Sequence, residues 1–119
     1  METQEDAKKY QVIKLADIEA VDCPCGASRR AFTDDPDQVL SLHVVDIKCD
    51  AALHYHKKLT EVYYFLEGEG HMELDGEAVP VGPGSAVLIK PGCRHRALGE
   101  LKVLVIPVPA FDPSDEWFD

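Results

Sequence analysis

The chain has 119 residues, of which 22 are acidic and 12 basic, and its formal net charge is −10. This surplus of negative charge repels phosphate backbones and anionic lipids, so nucleic acid and membranes are not expected as partners. The hydrophobic fraction of 45% is ordinary for one globular domain. We expect a single cytoplasmic domain over residues 1–119, because residues 1–9 lack the apolar stretch of a secretory signal.

The chain order of polar and apolar residues predicts short strands separated by turns. Residues 10–14 suit a first strand, and residues 15–20 suit one helical turn. Polar and apolar side chains alternate from Leu40 to about Lys48, as is typical of a half-buried strand. Further strands are predicted at residues 61–66, 71–74, 77–81, 85–89, 95–98 and 101–108.

Turn residues separate these predicted strands. Asp75-Gly76 is a strong hairpin signal, and Gly82-Pro83-Gly84 and Pro91-Gly92 end further strands. No segment between them has the apolar repeat of an amphipathic helix, so an architecture of alternating strands and helices is not expected. Eight or nine short strands predict an all-β domain closed into a jelly roll or barrel. Acidic side chains are concentrated in the polar tails 1–9 and 110–119, which we expect to be solvated.

Three histidines and one glutamate are candidate metal ligands. Alternate side chains of an extended strand share a face, so His54 and His56 point the same way. A bend after His56 would return Glu61 to their side, and His95 begins a strand that can reach the same place. Imidazole and carboxylate together suit one divalent ion, and this donor set is compatible with iron, manganese, nickel or zinc.

With these residues in place, the chain resembles the cupin superfamily, in particular its small single-domain members. The matching residues of the two cupin motifs are His54, His56, Glu61 and Gly68, then Gly84, Gly92 and His95. The resemblance covers about residues 39–108, taken as the barrel core. It implies a jelly-roll barrel, also called a double-stranded β-helix, with the metal held by the three histidines and the glutamate.

Three positions depart from the cupin motifs. Lys48 stands where a glycine is expected, Lys90 where a proline is expected, and Gly99 where an asparagine is expected. None of the three is a metal ligand in the family, so the departures affect the geometry of loops and leave the predicted metal site intact.

Other side chains are candidates for contact with a substrate. Alternation from Glu61 sends Tyr63 and Phe65 inward and Tyr64 outward, which makes Tyr63 a candidate to orient a substrate. Arg94 is a second candidate, because it could join a positive patch that binds a small anion. The other predicted members of that patch are Arg29, Lys90 and Arg96. The alternative is that these basic residues are surface counter-charges.

The histidines and cysteines outside the motifs are given structural interpretations. His43 and His71 are expected to be exposed strand residues and not ligands. The four cysteines are expected to be reduced thiols: Cys23, Cys25, Cys49 and Cys93. Cys23 and Cys25 could supply two of the four ligands of a zinc site. The favoured alternative is that they are buried or incidental thiols that bind no metal. Cys93 could be a redox-sensitive thiol or a substrate contact, although turn packing is favoured.

The resemblance implies a wide range of activities, since cupins include dioxygenases, isomerases, decarboxylases and oxalate-degrading enzymes. We expect a metal-dependent enzyme that acts on a small carbonyl or carboxylate compound as a dioxygenase, isomerase or lyase. The alternative is a non-catalytic module that binds or senses a sugar or another small molecule. Cupins are commonly dimers, and a strand at 10–14 could pair with a second copy, so a homodimer is expected. Trp117 and Phe118 are expected to dock on the barrel or on that second copy.

Overall fold

The computed structural model describes residues 8–23 and 26–119, in which nine β-strands form. The strands are β1 Val21–Cys23, β2 Gly26–Ala31, β3 Leu42–Ile47, β4 Thr60–Gly68, β5 Gly70–Leu74, β6 Glu77–Val81, β7 Ala86–Ile89, β8 His95–Leu98 and β9 Leu101–Val108. In the same residue ranges, two short 3-10 helices span Leu15–Asp17 and Pro113–Asp115. No helix among the described residues is long and apolar enough to cross a membrane.

All strand pairs are antiparallel and belong to two sheets. The larger sheet has the order β1-β2-β3-β9-β4-β7, and the smaller sheet has the order β6-β5-β8. Buried side chains from both sheets meet in one hydrophobic cluster, so the sheets enclose a common core. This arrangement confirms the predicted all-β jelly-roll barrel.

Alternation along β4 separates the core from the surface. Phe65 is fully buried and Tyr63 is 9% exposed, whereas Tyr64 between them is 42% exposed. Phe65 meets Val103 of β9 and Met72 of β5 in the core. Burial of each such side chain contributes about 1.5 to 3 kcal/mol to folding. The predicted faces of this strand are therefore confirmed.

Two turns explain why particular residues are required between the strands. Asp75 and Gly76 both have positive φ, of 48° and 87°, as a two-residue hairpin between β5 and β6 demands. Gly68 ends β4 with φ of 90°, and a Cβ there would collide with the carbonyl oxygen of Glu100. The glycine of the first motif is thus fixed by both its backbone conformation and the close approach of β9.

The N-terminal part of the barrel differs from the prediction. Residues 10–14 form no strand, because no other described segment pairs with them, and Val12 is 83% exposed. A helical turn forms at Leu15–Asp17, within the predicted range 15–20. β1 and β2 were not predicted, because the sequence Gly-Ala-Ser-Arg-Arg-Ala of β2 has little strand propensity and gains its structure by pairing with β3. The homodimer stays a prediction, without the strand on which it relied.

Candidate metal centre

The four predicted metal ligands lie together in the barrel. One ligand atom from each of His54, His56, Glu61 and His95 lies within 4.8 Å of the other three. His54 and His95 face each other in an antiparallel bridge, with backbone N to O distances of 3.1 and 2.8 Å. This bridge joins the two motifs, which are far apart in sequence. The cluster could hold a metal ion.

Hydrogen bonds to backbone carbonyls orient all three imidazole rings. Nδ1 lies 2.9 Å from the Ala52 oxygen in His54, 2.8 Å from the Asp115 oxygen in His56 and 2.9 Å from the Cys93 oxygen in His95. A carbonyl oxygen can only accept, so each Nδ1 carries the hydrogen and donates it. A neutral ring held in this way turns an unprotonated Nε2 away from the carbonyl, which is the arrangement of metal-binding histidines.

The ligand atoms lack hydrogen bonds of their own. Glu61 Oε1 lies 3.1 Å from His56 Nε2 and 3.2 Å from His95 Nε2. These three buried atoms have no hydrogen-bond partner within residues 8–23 and 26–119. Neutral imidazole lone pairs and a carboxylate are all acceptors and repel one another. A cation or added protons between them are needed to offset this repulsion. The donor set of three nitrogens and one oxygen fits iron, manganese, nickel or zinc.

The pKa values of Glu61 and His54 favour the forms that bind a metal, whereas that of His56 does not: burial lowers it, but the Glu61 carboxylate outweighs burial and raises it. Burial raises the pKa of Glu61, but the His56 and His95 nitrogens beside the carboxylate outweigh burial and lower the pKa to about 2. Burial, and then the neighbouring His95, lower the pKa of His54. Glu61 is therefore ionised and His54 neutral near pH 7, as metal coordination requires.

The C-terminal segment supports the centre, which corrects the expected solvated tail at 110–119. Asp115 is 4% exposed, and its carboxylate accepts hydrogen bonds from the backbone N–H groups of Lys57, Lys58 and Leu59 at 3.0, 2.9 and 3.1 Å. Burial raises the pKa of Asp115, but these N–H groups lower it overall. Asp115 thus fixes the turn between His56 and Glu61 with its side chain, and the His56 ring with its carbonyl oxygen.

A cavity of about 240 Å³ lies beside the four candidate ligands. Most of its wall is apolar, with Val45, Ile47 and Val105 among the lining residues. Its polar lining outside the ligand cluster consists of Ser28, Arg30, His43, Tyr63 and Glu116. The cavity is smaller than the roughly 300 to 1,000 Å³ of sites for drug-sized ligands, so it suits a small molecule.

Tyr63, a predicted substrate residue, lines this cavity. Its ring lies 6.0 Å from the ring of His95. Burial, together with the nearby Glu61 carboxylate, raises its pKa well above the ordinary value. The phenol is therefore protonated, and its hydroxyl makes no hydrogen bond to the part of the chain that the structure describes, so it is free to bind a ligand.

Two further cavity residues come from the C-terminal segment. The Glu116 carboxylate lies 3.7 Å from His54 Nε2, and the Phe118 ring lies 6.2 Å from the His54 ring. Trp117 pairs with Tyr55 through its backbone, which holds the segment against the barrel. Of the two predicted alternatives these contacts favour docking on the barrel, but Trp117 and Phe118 are still 40% and 59% exposed, so contact with a second copy stays a prediction. Glu116 was not predicted as a cavity residue, because nothing in the sequence distinguishes it from the other acidic residues of the C-terminal segment.

Arg94, the other predicted substrate residue, is not among the residues that line the cavity. Its guanidinium donates to both carboxylate oxygens of Asp119 at 2.9 Å and lies 3.5 Å from the centre of the Tyr55 ring. Arg96 pairs with Glu73 at 2.8 Å, and Arg29 donates to the carbonyl of Ile18. These pairings favour the interpretation of surface counter-charges. A catalytic role for Arg94 stays a prediction that this geometry does not support.

His43 corrects another expectation, because it is 6% exposed and lines the cavity. It lies on the inward face of β3 with Val45 and Ile47, and its Nε2 is 2.8 Å from Ser41 Oγ. Burial, and then the positive charge of Arg30, lower its pKa from 6.5 to about 4. His71 is exposed on β5, as predicted. Neither histidine belongs to the ligand cluster.

We predict that His43 makes the protein less stable in acid. Between pH 6.5 and about 4 His43 binds a proton in the unfolded chain but not in the folded chain. Its contribution to the free energy of unfolding is therefore present above pH 6.5 and is lost as the pH falls. Urea unfolding of the metal-free protein measures the free energy of unfolding at pH 7 and at pH 5. The decrease between the two pH values should be about 2 kcal/mol smaller in His43→Gln than in wild type. His71→Gln is the control and should behave as wild type. Equal losses in His43→Gln and wild type would contradict the prediction.

The described thiols are Cys49, which is exposed, and Cys93, which is half-buried. Cys93 packs against the hydrophobic cluster, and burial, followed by the Asp75 carboxylate, raises its pKa. A raised pKa leaves the less reactive thiol form, so turn packing is the favoured role. Cys25 and the side chain of Cys23 lie outside the described residues, and a zinc half-site there stays a prediction.

Comparison with known proteins agrees with the barrel and its motifs. The family model described as "Cupin domain" matches residues 42–107. The chain belongs to the cupin family. An uncharacterised protein of Methanocaldococcus jannaschii is 34% identical over 82 residues, which cover 66% of this cupin and 66% of the relative, just under two thirds of its length.

Solved structures extend the comparison to almost the whole chain. A protein from Planctomyces limnophilus superposes with a TM-score of 0.84 at 41% identity, covering 92% of this cupin and 96% of that chain. A nucleoside dehydratase from Streptomyces superposes with a TM-score of 0.79 at 21% identity, covering 92% and 90% of the two chains. At 21% identity the second likeness shows the fold alone.

Proposed function

We propose that this cupin is a small metal-dependent enzyme that binds an oxygen of a small carbonyl or carboxylate compound at its metal. One observation carries the proposal: the buried Nε2 atoms of His56 and His95 and the Glu61 carboxylate meet without a hydrogen bond, beside an open cavity. Four protein ligands leave two positions free on a six-coordinate ion. A divalent metal there would polarise a carbonyl or carboxylate oxygen as a Lewis acid.

The cavity offers two side chains for proton transfer. Glu116 places a carboxylate near His54, and Tyr63 presents a protonated hydroxyl on the cavity wall. We assign Glu116 as the base that removes a proton next to the polarised carbonyl, and Tyr63 as a hydrogen-bond donor to the substrate oxygen. A base and a donor favour an isomerase or lyase over a dioxygenase, which needs neither group to activate O₂. The Streptomyces dehydratase is an example of a protein of this fold with an elimination activity.

Metal content tests the first part of the proposal. Wild type, the double variant His54→Ala/His56→Ala and the control His71→Ala are purified, reconstituted with each candidate metal and measured by elemental mass spectrometry. We expect about one ion per chain in wild type and His71→Ala, and loss of the ion in the double variant. A wild type that holds no metal after reconstitution would contradict the proposal.

Isotope exchange then separates the reaction types. Pyruvate in D₂O with zinc-loaded protein should exchange its methyl protons, as seen by NMR, and Glu116→Gln should slow the exchange roughly 100-fold. Oxygen uptake by the iron-loaded protein, without exchange, would favour the dioxygenase. Binding of ligands without either reaction would favour the non-catalytic binding module.

A further inference from the structure

Arg30 is the one arginine that lines the cavity. It shares the inward face of β2 with Ser28, while Arg29 between them turns to the opposite face. Arg30 is paired across the sheet with His43, His43 with Val105, and Val105 with Tyr63. This row crosses four strands and leads from Arg30 to the wall beside Glu61. With strands about 4.8 Å apart, the backbones of Arg30 and Tyr63 are separated by roughly 14 Å, which the arginine side chain shortens.

The guanidinium of Arg30 has hydrogen-bond donors that no described residue accepts from. Nε donates to Ser28 Oγ at 2.9 Å, and Cζ lies 5.6 Å from the centre of the Phe111 ring. Within the described ranges, neither Nη atom makes a hydrogen bond and no carboxylate pairs with Arg30. Arg94 and Arg96, in contrast, each pair with a carboxylate. A half-buried charge without a partner is unfavourable, and its two Nη atoms form the edge that binds a carboxylate in a bidentate manner.

The charge of the cavity points to the same class of ligand. Its charged side chains are Arg30, Glu61 and Glu116. Once a divalent ion is bound, these groups leave one excess positive charge, which a single carboxylate neutralises. The remaining wall is mainly apolar and the volume is small, so it fits a short carbon chain.

We infer that Arg30 binds the carboxylate of the substrate, so that this cupin acts on small carboxylic acids whose second oxygen function reaches the metal. This inference deepens the proposed function and rests on it for the metal end. Arg30 is here a specificity-determining residue: it selects the carboxylate and sets the distance from that group to the metal. The sequence pointed instead to Arg94, which the structure places outside the cavity.

The test uses two probes that share a carbonyl and differ in charge. Pyruvate and its uncharged methyl ester are titrated into zinc-loaded wild type, Arg30→Met and the control Arg29→Met by calorimetry, with the zinc content of each sample measured. Arg30→Met should weaken pyruvate binding roughly 10- to 100-fold and leave methyl pyruvate within about twofold, because only the acid loses a charge-assisted hydrogen bond. Arg30→Lys should recover part of the loss, and Arg29→Met should bind both probes as wild type does.

Several results would overturn the inference. Pyruvate binding that is equal in wild type and Arg30→Met, or an equal loss for acid and ester, would do so. Failure of acetate, pyruvate and 2-oxoglutarate all to bind zinc-loaded wild type would have the same meaning.

A measurement without metal separates this inference from the proposed function. The Nε–H signal of Arg30 in metal-free protein, assigned by its loss in Arg30→Met, should shift with pyruvate and not with methyl pyruvate. If the Arg30 signal shifts with pyruvate but the protein does not bind zinc, the metalloenzyme proposal is contradicted and Arg30 is still supported as an anion site. If the signal does not shift but the protein binds zinc, only the role of Arg30 is contradicted.

Discussion

Replacing Glu61 by glutamine is expected to weaken zinc binding roughly 100-fold or more. A zinc site of four ligands provides about 10 to 16 kcal/mol in total, so an average ligand contributes about 3 kcal/mol. Glu61 is the one anionic ligand of the cluster, and its carboxylate lies 3.1 and 3.2 Å from two ligand nitrogens. An amide oxygen keeps the shape but loses the charge that balances the ion.

Competition with a chromophoric chelator measures this affinity. Glu67→Gln is the matched control, since Glu67 lies on the same strand and is exposed. At a free zinc concentration 100 times the wild-type Kd, zinc should raise the free energy of unfolding of wild type by about 2.7 kcal/mol. The same zinc concentration should raise that of Glu61→Gln by only about 0.4 kcal/mol. Equal zinc affinities in the two proteins would show that Glu61 is not a ligand.

Replacing Asp115 by alanine is expected to lower the free energy of unfolding of the metal-free protein by about 3 to 4 kcal/mol. The buried carboxylate accepts hydrogen bonds from three consecutive backbone N–H groups and from Trp117 Nε1. Alanine leaves the buried Leu59 N–H without an acceptor, at a cost of about 1 to 3 kcal/mol, and also removes the part-buried hydrogen bonds from Lys57, Lys58 and Trp117. Urea unfolding measures the loss.

The same variant should also bind zinc roughly 10- to 100-fold more weakly, because the turn that positions His56 and Glu61 is no longer held. Asp112→Ala is the control: Asp112 is an exposed cap of the 3-10 helix and should cost about 1 kcal/mol. A loss below about 1 kcal/mol in Asp115→Ala would mean that water replaces its hydrogen bonds and that the C-terminal segment does not support the centre.

The strands from β3 to β9 and the candidate ligand set could be predicted from the sequence, whereas β1 and β2 could not. The inward and outward faces of β4 follow from alternation, which is a local property of an extended chain, and Phe65 and Tyr64 show it directly. His54 and His56 share a face for the same reason. The end of β4 at Gly68 can be predicted because glycine, without a Cβ, readily adopts the positive φ that this position has. His95 could be predicted as a ligand only from the spacing of the cupin motifs, because residue types alone do not show that it lies beside His54.

The surroundings of these candidate ligands depend on tertiary contacts that the sequence pattern does not show. Asp115 is 59 residues from His56 in sequence, yet its carbonyl oxygen holds the His56 ring. Arg30 and His43 enter the cavity because β2 pairs with β3, and neither strand shows which of its polar residues will be covered. Arg94 and Arg30 are indistinguishable as sequence letters, and the difference is that Asp119 neutralises one of them. Such contacts depend on which segments the fold brings together, because burial and charge pairing are properties of neighbours in space and not of neighbours in the chain.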